Sequence, residues 1–210
     1  MKLVDSSFEI LDEITGKELK KIERIARICY KSEDNITPDG QSAMKMIRNL
    51  IIKGHEAMLE HSSLSVLFVC DRAISHELVR HRLCSFAQES QRYCNYQKDK
   101  FGGEVTFIKP WWLNETDEGY SEFTKSLTKA EDEYFKLLAL AWKPEQARGV
   151  LPNATKTEIV LTTNYREWRH ILKLRTDLAA HRDMRHLMTG LLKELQMQIP
   201  LVFDDIPVIG

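Results

Sequence analysis

Apolar residues recur at helical spacing in several stretches of the chain. Leu19, Ile22, Ile25, Ala26 and Cys29 share one face between Lys17 and Tyr30. Ala43, Met46, Ile47, Leu50 and Ile51 repeat at i, i+3, i+4, i+7 and i+8 between Ser42 and Lys53. Both patterns predict helices, the second closed by Gly54. Glu118 to Trp142 predicts a long helix, polar at first and apolar toward its end. Pro144 fits the first turn of a short helix, and Pro152 closes it. Further helices are predicted over Arg166 to Arg175 and Ala179 to Gln198. In the last, Met184, Leu187, Met188, Leu191, Leu192 and Leu195 form a continuous stripe, which serves as core or as a subunit contact.

The clearest strand pattern is SLSVLFVC, Ser63 to Cys70, and EIVLTT, Glu158 to Thr163, is similarly β-rich. Val105 to Lys109 predicts a short strand before Pro110, and the opening MKLVDSSFEI predicts an initial strand. Asp71 is placed to cap a helix running through Arg80. DNITPDG and KDKFGGEV read as turn and loop. The tail IPLVFDDIPVIG is expected to be loosely ordered or to pack on a neighbour. The elements alternate without a linker or a repeat. This predicts one domain over residues 1–210, of α/β (α+β) class, with a central sheet flanked by helices.

Composition narrows the function classes. The 210 residues carry a formal charge of -1, with 43% hydrophobic and 29% charged residues, which describes an ordinary soluble globular protein. A dedicated nucleic-acid binder would be strongly basic. The N-terminus lacks a basic region followed by an apolar core, so no signal peptide is expected. No apolar run is long enough to span a membrane. Cys29, Cys70, Cys84 and Cys94 form no CxxC pair, which points to reduced thiols in a cytoplasm.

The densest chemistry lies in RHRLCSFAQESQRYCNY, Arg80 to Tyr96. Three guanidinium groups, Arg80, Arg82 and Arg92, stand among His81, Ser85, Gln88, Glu89 and Ser90, with Phe86, Tyr93 and Tyr96 interleaved. Arg presents a planar fork that matches phosphate or carboxylate oxygens in pairs. On a helix Arg80 and Arg82 would lie about 200° apart and could not share a face. Ser90 and Arg92 at i, i+2 would share one side of an extended segment, a pairing that suits a phosphate monoester. Two other readings fit the same residues: an exposed helix end whose Arg residues pair with nearby acids, and RNA contact through Arg and aromatic stacking.

Other chemistries fail on spacing. His55-Glu56 followed by His61 is two residues too long for the zinc pattern HExxH. His76 and His81, like His181 and His186, are five apart and do not share a helix face well, so no metal site is expected. There is no GxGxxG and no P-loop, and Ser90 has no evident triad. No nearby base marks Cys84 or Cys94 as a nucleophile.

Arg80-His81-Arg82, then seven residues, then Ser90 resembles the signature of the flavin-dependent thymidylate synthases. Ser85 and Arg92-Tyr93 also stand where that longer pattern asks for them. GHEAMLEH, Gly54 to His61, is similar to the family's Gly-His-Glu segment before the first core strand. Arg148 in QARGVLP is similar to its Arg-x-x-Leu-Pro element, and TNYREWRHILKLR, Thr163 to Arg175, to its Asn-x-Arg and Leu-Arg segment. These segments span most of the chain in the expected order. Ala57, Ala87 and Gln88 depart from residues often found in the family, which puts individual hydrogen bonds in question rather than the reaction.

The resemblance implies an α/β fold and reductive methylation of dUMP to dTMP. Methylenetetrahydrofolate would supply the carbon, and FAD reduced by NADPH the hydride. It further implies a homotetramer with active sites between subunits. The dUMP set it implies is Glu77, Arg80, Gln88, Glu89, Ser90, Arg92, Arg148 and Arg175; the FAD set is Glu60, Arg80, His81, Arg82, Asn164, Arg166 and His170. Arg175 would be the catalytic group, stabilising negative charge that develops in the pyrimidine. Cofactor-borne chemistry leaves the cysteines out of catalysis. The alternative is a nucleotide- or RNA-binding protein of the same fold without turnover.

Overall fold

The structure, a computed structural model, describes residues 1–98 and 101–209. Its strands are β1 (Lys2–Val4), β2 (Ser7–Ile10), β3 (Ser63–Asp71), β4 (Ser85–Gln88), β5 (Thr106–Ile108) and β6 (Lys156–Asn164). Its helices are α1 (Lys17–Ile28), α2 (Gln41–Ile52), α3 (Arg72–Leu78), α4 (Glu118–Ala139), α5 (Pro144–Ala147), α6 (Tyr165–Arg175) and α7 (Arg182–Gln198). β1 and β5 form a parallel pair, with Leu3 opposite Phe107, and the other strands form a sheet in the order β2-β3-β6-β4. The class is α+β, with small sheets flanked by helices, as the alternation of patterns predicts.

The chain divides into two compact units. The first comprises Met1–Phe8, Leu67–Arg80 and Phe86–Val160. Its core gathers Tyr96, Val105, Phe107, Leu127, Tyr134 and Ala147. Glu131, buried on α4, accepts from the Val105 N–H at 2.7 Å and pairs with the Met1 ammonium at 2.9 Å, so one carboxylate holds two chain segments. Asp71 caps α3 by accepting from the Ile74 N–H at 2.7 Å.

The second unit comprises Glu9–Val66, His81–Ser85 and Leu161 onward. α1 packs on α2, and Ile22 and Ala26 of the one and Ala43 and Ile47 of the other are essentially inaccessible. α2 ends as its Gly54 predicts: Gly54 has a φ of 68°, a left-handed conformation that Gly adopts without a Cβ penalty, and the next N–H, of His55, bonds Leu50 O at 2.8 Å. α6 follows β6 directly because Asn164 caps it, accepting from the Glu167 N–H at 2.9 Å. The Trp168 indole donates to Leu64 O at 2.9 Å and anchors α6 on β3.

Several sequence expectations are corrected. The initial strand is two strands with different partners: Lys109 N–H bonds Val4 O, whereas Leu11 N–H bonds Ser65 O. The α3 helix stops at Leu78 rather than reaching Arg80, because the Arg80 N–H bonds Glu77 O in a tightened last turn. α4 stops at Ala139, since Ala141 takes a φ of 63° and Trp142 N–H closes on Leu137 O. α7 starts at Arg182, three residues late, behind a turn in which Asp177 accepts from the Ala179 N–H. The Met184 to Leu195 stripe is core within its own chain.

The tail also packs on its own unit: Val202, Phe203 and Ile206 are buried, and Gln196 on α7 donates to Phe203 O and Ile206 O. The apolar positions of the tail were visible in the sequence, but their partners on α6 and α7 were not. Gly210, and Asp99 and Lys100 of the expected KDKFGGEV loop, lie outside the described residues.

Candidate active site

α6 builds one wall of a cleft of about 690 Å³ in the second unit. Arg166, Glu167, His170 and Lys173 stand at i, i+1, i+4 and i+7 and line it from one helix face, with Asn164 at the helix start. Glu56 and Glu60, from the 3₁₀ turn Glu56–His61, and Leu83 complete the lining. Gly54 and the following turn therefore bring two carboxylates opposite the basic face of α6. Arg166 pairs with Glu60 at 2.5 Å, and both side chains are about half exposed, so the pair can open toward a ligand at little cost.

Next to this cleft, Arg175 at the last turn of α6 donates from Nε to Nε2 of His81 at 3.0 Å. His81 is buried and meets His170 edge-on, with ring centroids 6.3 Å apart. Burial, then Arg175, then His170 push the His81 imidazolium down to about 4. At neutral pH His81 is therefore neutral, and because Nε2 accepts, its proton sits on Nδ1. A neutral imidazole thus orients a permanently charged guanidinium.

His81, Glu167 and His170 bring ligand atoms within 4.8 Å of one another. However, Nε2 of His81 is occupied by Arg175, whose charge opposes a cation there. Cys84 sits nearby with its thiol pushed up to about 11, chiefly by burial, so it is protonated at neutral pH.

Apart from Arg82, which belongs to the second unit, the remaining sequence-predicted residues lie in the first unit. Gln88 donates to Ser75 Oγ at 2.9 Å and Thr157 Oγ1 at 3.3 Å. Glu89 accepts from Tyr96 Oη at 3.1 Å and Lys156 Nζ at 3.2 Å. Ser90 and Arg92 do not lie along an extended segment, which corrects the i, i+2 expectation. They open a turn in which Ser90 O accepts from Cys94 N–H and Ser90 Oγ from Arg92 N–H. The turn leaves Arg92 exposed, 3.6 Å from Glu145. Arg148 is exposed one turn along and donates to Glu145 O at 3.3 Å. Two guanidinium groups far apart in sequence thus converge on the short helix α5. Glu77 is half-buried on α3 and Arg80 is exposed just beyond it.

The structure therefore groups Glu60, His81, Asn164, Arg166, His170 and Arg175 in one unit, and Glu77, Gln88, Glu89, Ser90, Arg92 and Arg148 in the other. Arg82 is exposed in the turn after His81 and does not line the cleft. Sequence reasoning missed Glu56, Glu167 and Lys173 as cleft residues. The signal for the last two was their shared α6 face with Arg166 and His170, and for Glu56 its place in the Gly-His-Glu segment.

The chain matches the family model described as Thymidylate synthase complementing protein over residues 9–201. It is 36% identical over 206 residues to the flavin-dependent thymidylate synthase of Corynebacterium aurimucosum, covering 93% of this chain and 82% of that one. It is 33% identical over 197 residues to that of Mycobacterium tuberculosis, covering 89% and 79%. The crystal structure of the UMP/dUMP methylase PolB from Streptomyces cacaoi, bound with 5-Br dUMP, shares the fold, with a TM-score of 0.79, 23% identity and 97% and 96% of the two chains covered. A family match across nearly the whole chain, and relatives above 30% identity, settle the classification: the chain belongs to the thymidylate synthase complementing protein family, that of the flavin-dependent thymidylate synthases.

Proposed function

We propose that this protein is a flavin-dependent thymidylate synthase that methylates dUMP to dTMP. Methylenetetrahydrofolate is the carbon donor, and FAD reduced by NADPH the hydride source. The observation that carries the reading is the α6 cleft with Arg175 held beside it by a neutral His81. The relatives' names support the flavin and the product. The 5-Br dUMP bound to PolB supports the nucleotide class.

The donor set of the cleft suits a flavin dinucleotide. Arg166, Lys173, Asn164 and His170 are oxyanion and carbonyl donors, and Glu60 can accept from a ribose hydroxyl. Arg80, His81 and Arg82 complete the proposed FAD set. FAD, when bound, supplies the hydride. Arg92 and Arg148, converging on α5, bind the dUMP phosphate together with Ser90 and Arg80. Glu77, Gln88 and Glu89 shape the nucleotide site around them. Arg175 holds a fixed positive charge against the pyrimidine edge, where negative charge builds as carbon 5 becomes nucleophilic. Neutral His81 keeps that guanidinium in place without competing for the charge.

The proposal extends to a single functional domain over residues 1–210 and a homotetramer with active sites between subunits, in the cytoplasm. Support for the compartment comes from four cysteines that are free thiols. Among the described residues no helix is long and apolar enough to cross a membrane. The test is dTMP formation from dUMP by the full chain with FAD, NADPH and methylenetetrahydrofolate. A flavin absorption band and product support the reading. A colourless protein that binds nucleotide but forms no dTMP under these conditions overturns it.

A further inference from the structure

A fully enclosed charge of the second unit, Arg169, is not one of the residues discussed so far. Arg169 is 1% exposed on α6. Its Nη1 donates to Val202 O and, at 2.5 Å, to Asp205 Oδ1. Its Nη2 donates to Asp205 Oδ2 at 2.7 Å and Glu56 Oε1 at 3.0 Å, and its Nε to the same Glu56 oxygen at 3.2 Å. All five guanidinium N–H groups are thereby used. The acceptors come from two segments, 113 residues before Arg169 and 33 to 36 residues after it. Asp205 is held below the ordinary carboxyl range: burial alone would raise it, and Arg169 outweighs that.

Arg169 does not itself line the cleft, but its acceptor Glu56 does. His170 and Lys173, the next residue and the next turn of α6, line the opposite wall. Lys173 Nζ reaches 3.9 Å from Glu56 and 4.0 Å from Asp205, too far to replace the fork. Without Arg169, the two carboxylates would face each other with no buried counter-charge between them, and the turn Glu56–His61 would lose its tie to α6.

We infer that Arg169 is a positioning residue that locks the C-terminal segment Val202–Asp205 and the Glu56 wall to α6 and so sets the width of the ligand cleft. The ligand's identity as flavin rests on the proposed function; the locking does not. A lysine keeps the charge but not the fork, so Arg169→Lys tests geometry rather than charge. Asp205→Asn is the milder variant, because it leaves Glu56 and Val202 O on the guanidinium.

The experiment uses the full chain. It combines FAD titration by fluorescence, thermal unfolding, and amide hydrogen exchange over residues 56–61 and 199–206 without flavin. Both variants are expected to raise exchange in the two segments together. FAD affinity should fall about tenfold or more in Arg169→Lys and less in Asp205→Asn, at temperatures where both remain folded. Should Arg169→Lys fail to fold, Asp205→Asn decides the matter. A folded variant with a lowered melting temperature but wild-type FAD affinity and wild-type exchange over 56–61 overturns the inference, leaving Arg169 a stabilising ion pair. If the wild-type protein binds no FAD, the proposed function fails, and the joint exchange of the two segments alone decides the locking.

Discussion

Nε of Arg175 donates to Nε2 of His81 at 3.0 Å, so a buried neutral imidazole sets the direction of the guanidinium. If Arg175 acts on charge that develops in the pyrimidine, Arg175→Ala lowers turnover more than it lowers dUMP affinity. His81→Ala removes the orienting acceptor and is expected to reproduce part of that loss, about tenfold or more, in line with a hydrogen bond to a charged group. Single-turnover dTMP formation beside a dUMP titration measures the split. Unchanged turnover in Arg175→Ala at saturating dUMP would refute the assignment.

The same imidazole makes stability pH-dependent. An unfolded histidine takes up a proton near 6.5, whereas folded His81 does so only at about 4. Between those values the unfolded state binds more protons, so stability falls as pH drops through the window. Urea unfolding at pH 7, 6, 5 and 4 should show this decline, and His81→Gln should flatten it. A variant whose decline matches the wild type would assign the effect to other groups.

Arg92 tests phosphate recognition separately from chemistry. Arg92→Ala is expected to weaken dUMP binding about ten- to a hundredfold, since a charge-assisted hydrogen bond is worth roughly 1.5–3 kcal/mol. Deoxyuridine, which lacks the phosphate, should be affected much less. Stability should hardly change, because the Arg92–Glu145 pair is exposed and 3.6 Å long. Equal losses for dUMP and deoxyuridine would sink the phosphate role.

The thiols should be dispensable. Burial pushes Cys70 up to about 12 and Cys84 up to about 11, so neither is a thiolate at neutral pH. Cys84→Ala and Cys94→Ala are expected to retain dTMP formation. Alkylation at pH 7.5 followed by mass spectrometry should modify exposed Cys29 before buried Cys70. A folded, flavin-binding Cys84→Ala protein without turnover would show a thiol-dependent reaction.

One buried ion pair supports the second unit away from the cleft. Glu23 and Arg27 on α1 meet at 2.7 Å, with the Glu23 side chain 1% exposed. Glu23→Ala leaves the Arg27 guanidinium without its counter-charge, with Ser32 O at 3.3 Å as its remaining acceptor, and should cost about 3 kcal/mol or more. Denaturant unfolding reads the loss, and a change below about 1 kcal/mol would mean that Arg27 finds another acceptor or water.

Local periodicity in the sequence determined the main helices and the two long strands, because burial on one face of α1, α2, α6 or α7 repeats within a few residues. Residue order likewise carried the family resemblance, from Gly54-His55-Glu56 through Arg80-His81-Arg82 to Arg175. Tertiary structure alone decided the split of MKLVDSSFEI, since Val4 and Ile10 belong to strands of different sheets. It also turned Ser90 and Arg92 out of an extended segment and brought Arg92 and Arg148 together on α5. Arg169 looked like any helix-surface arginine in the sequence; its partners lie as far as 113 residues away. The neutrality of His81 and the burial of Val202, Phe203 and Ile206 have the same origin. A side chain's charge state and partners depend on what distant segments remove from water around it, and no local pattern encodes that.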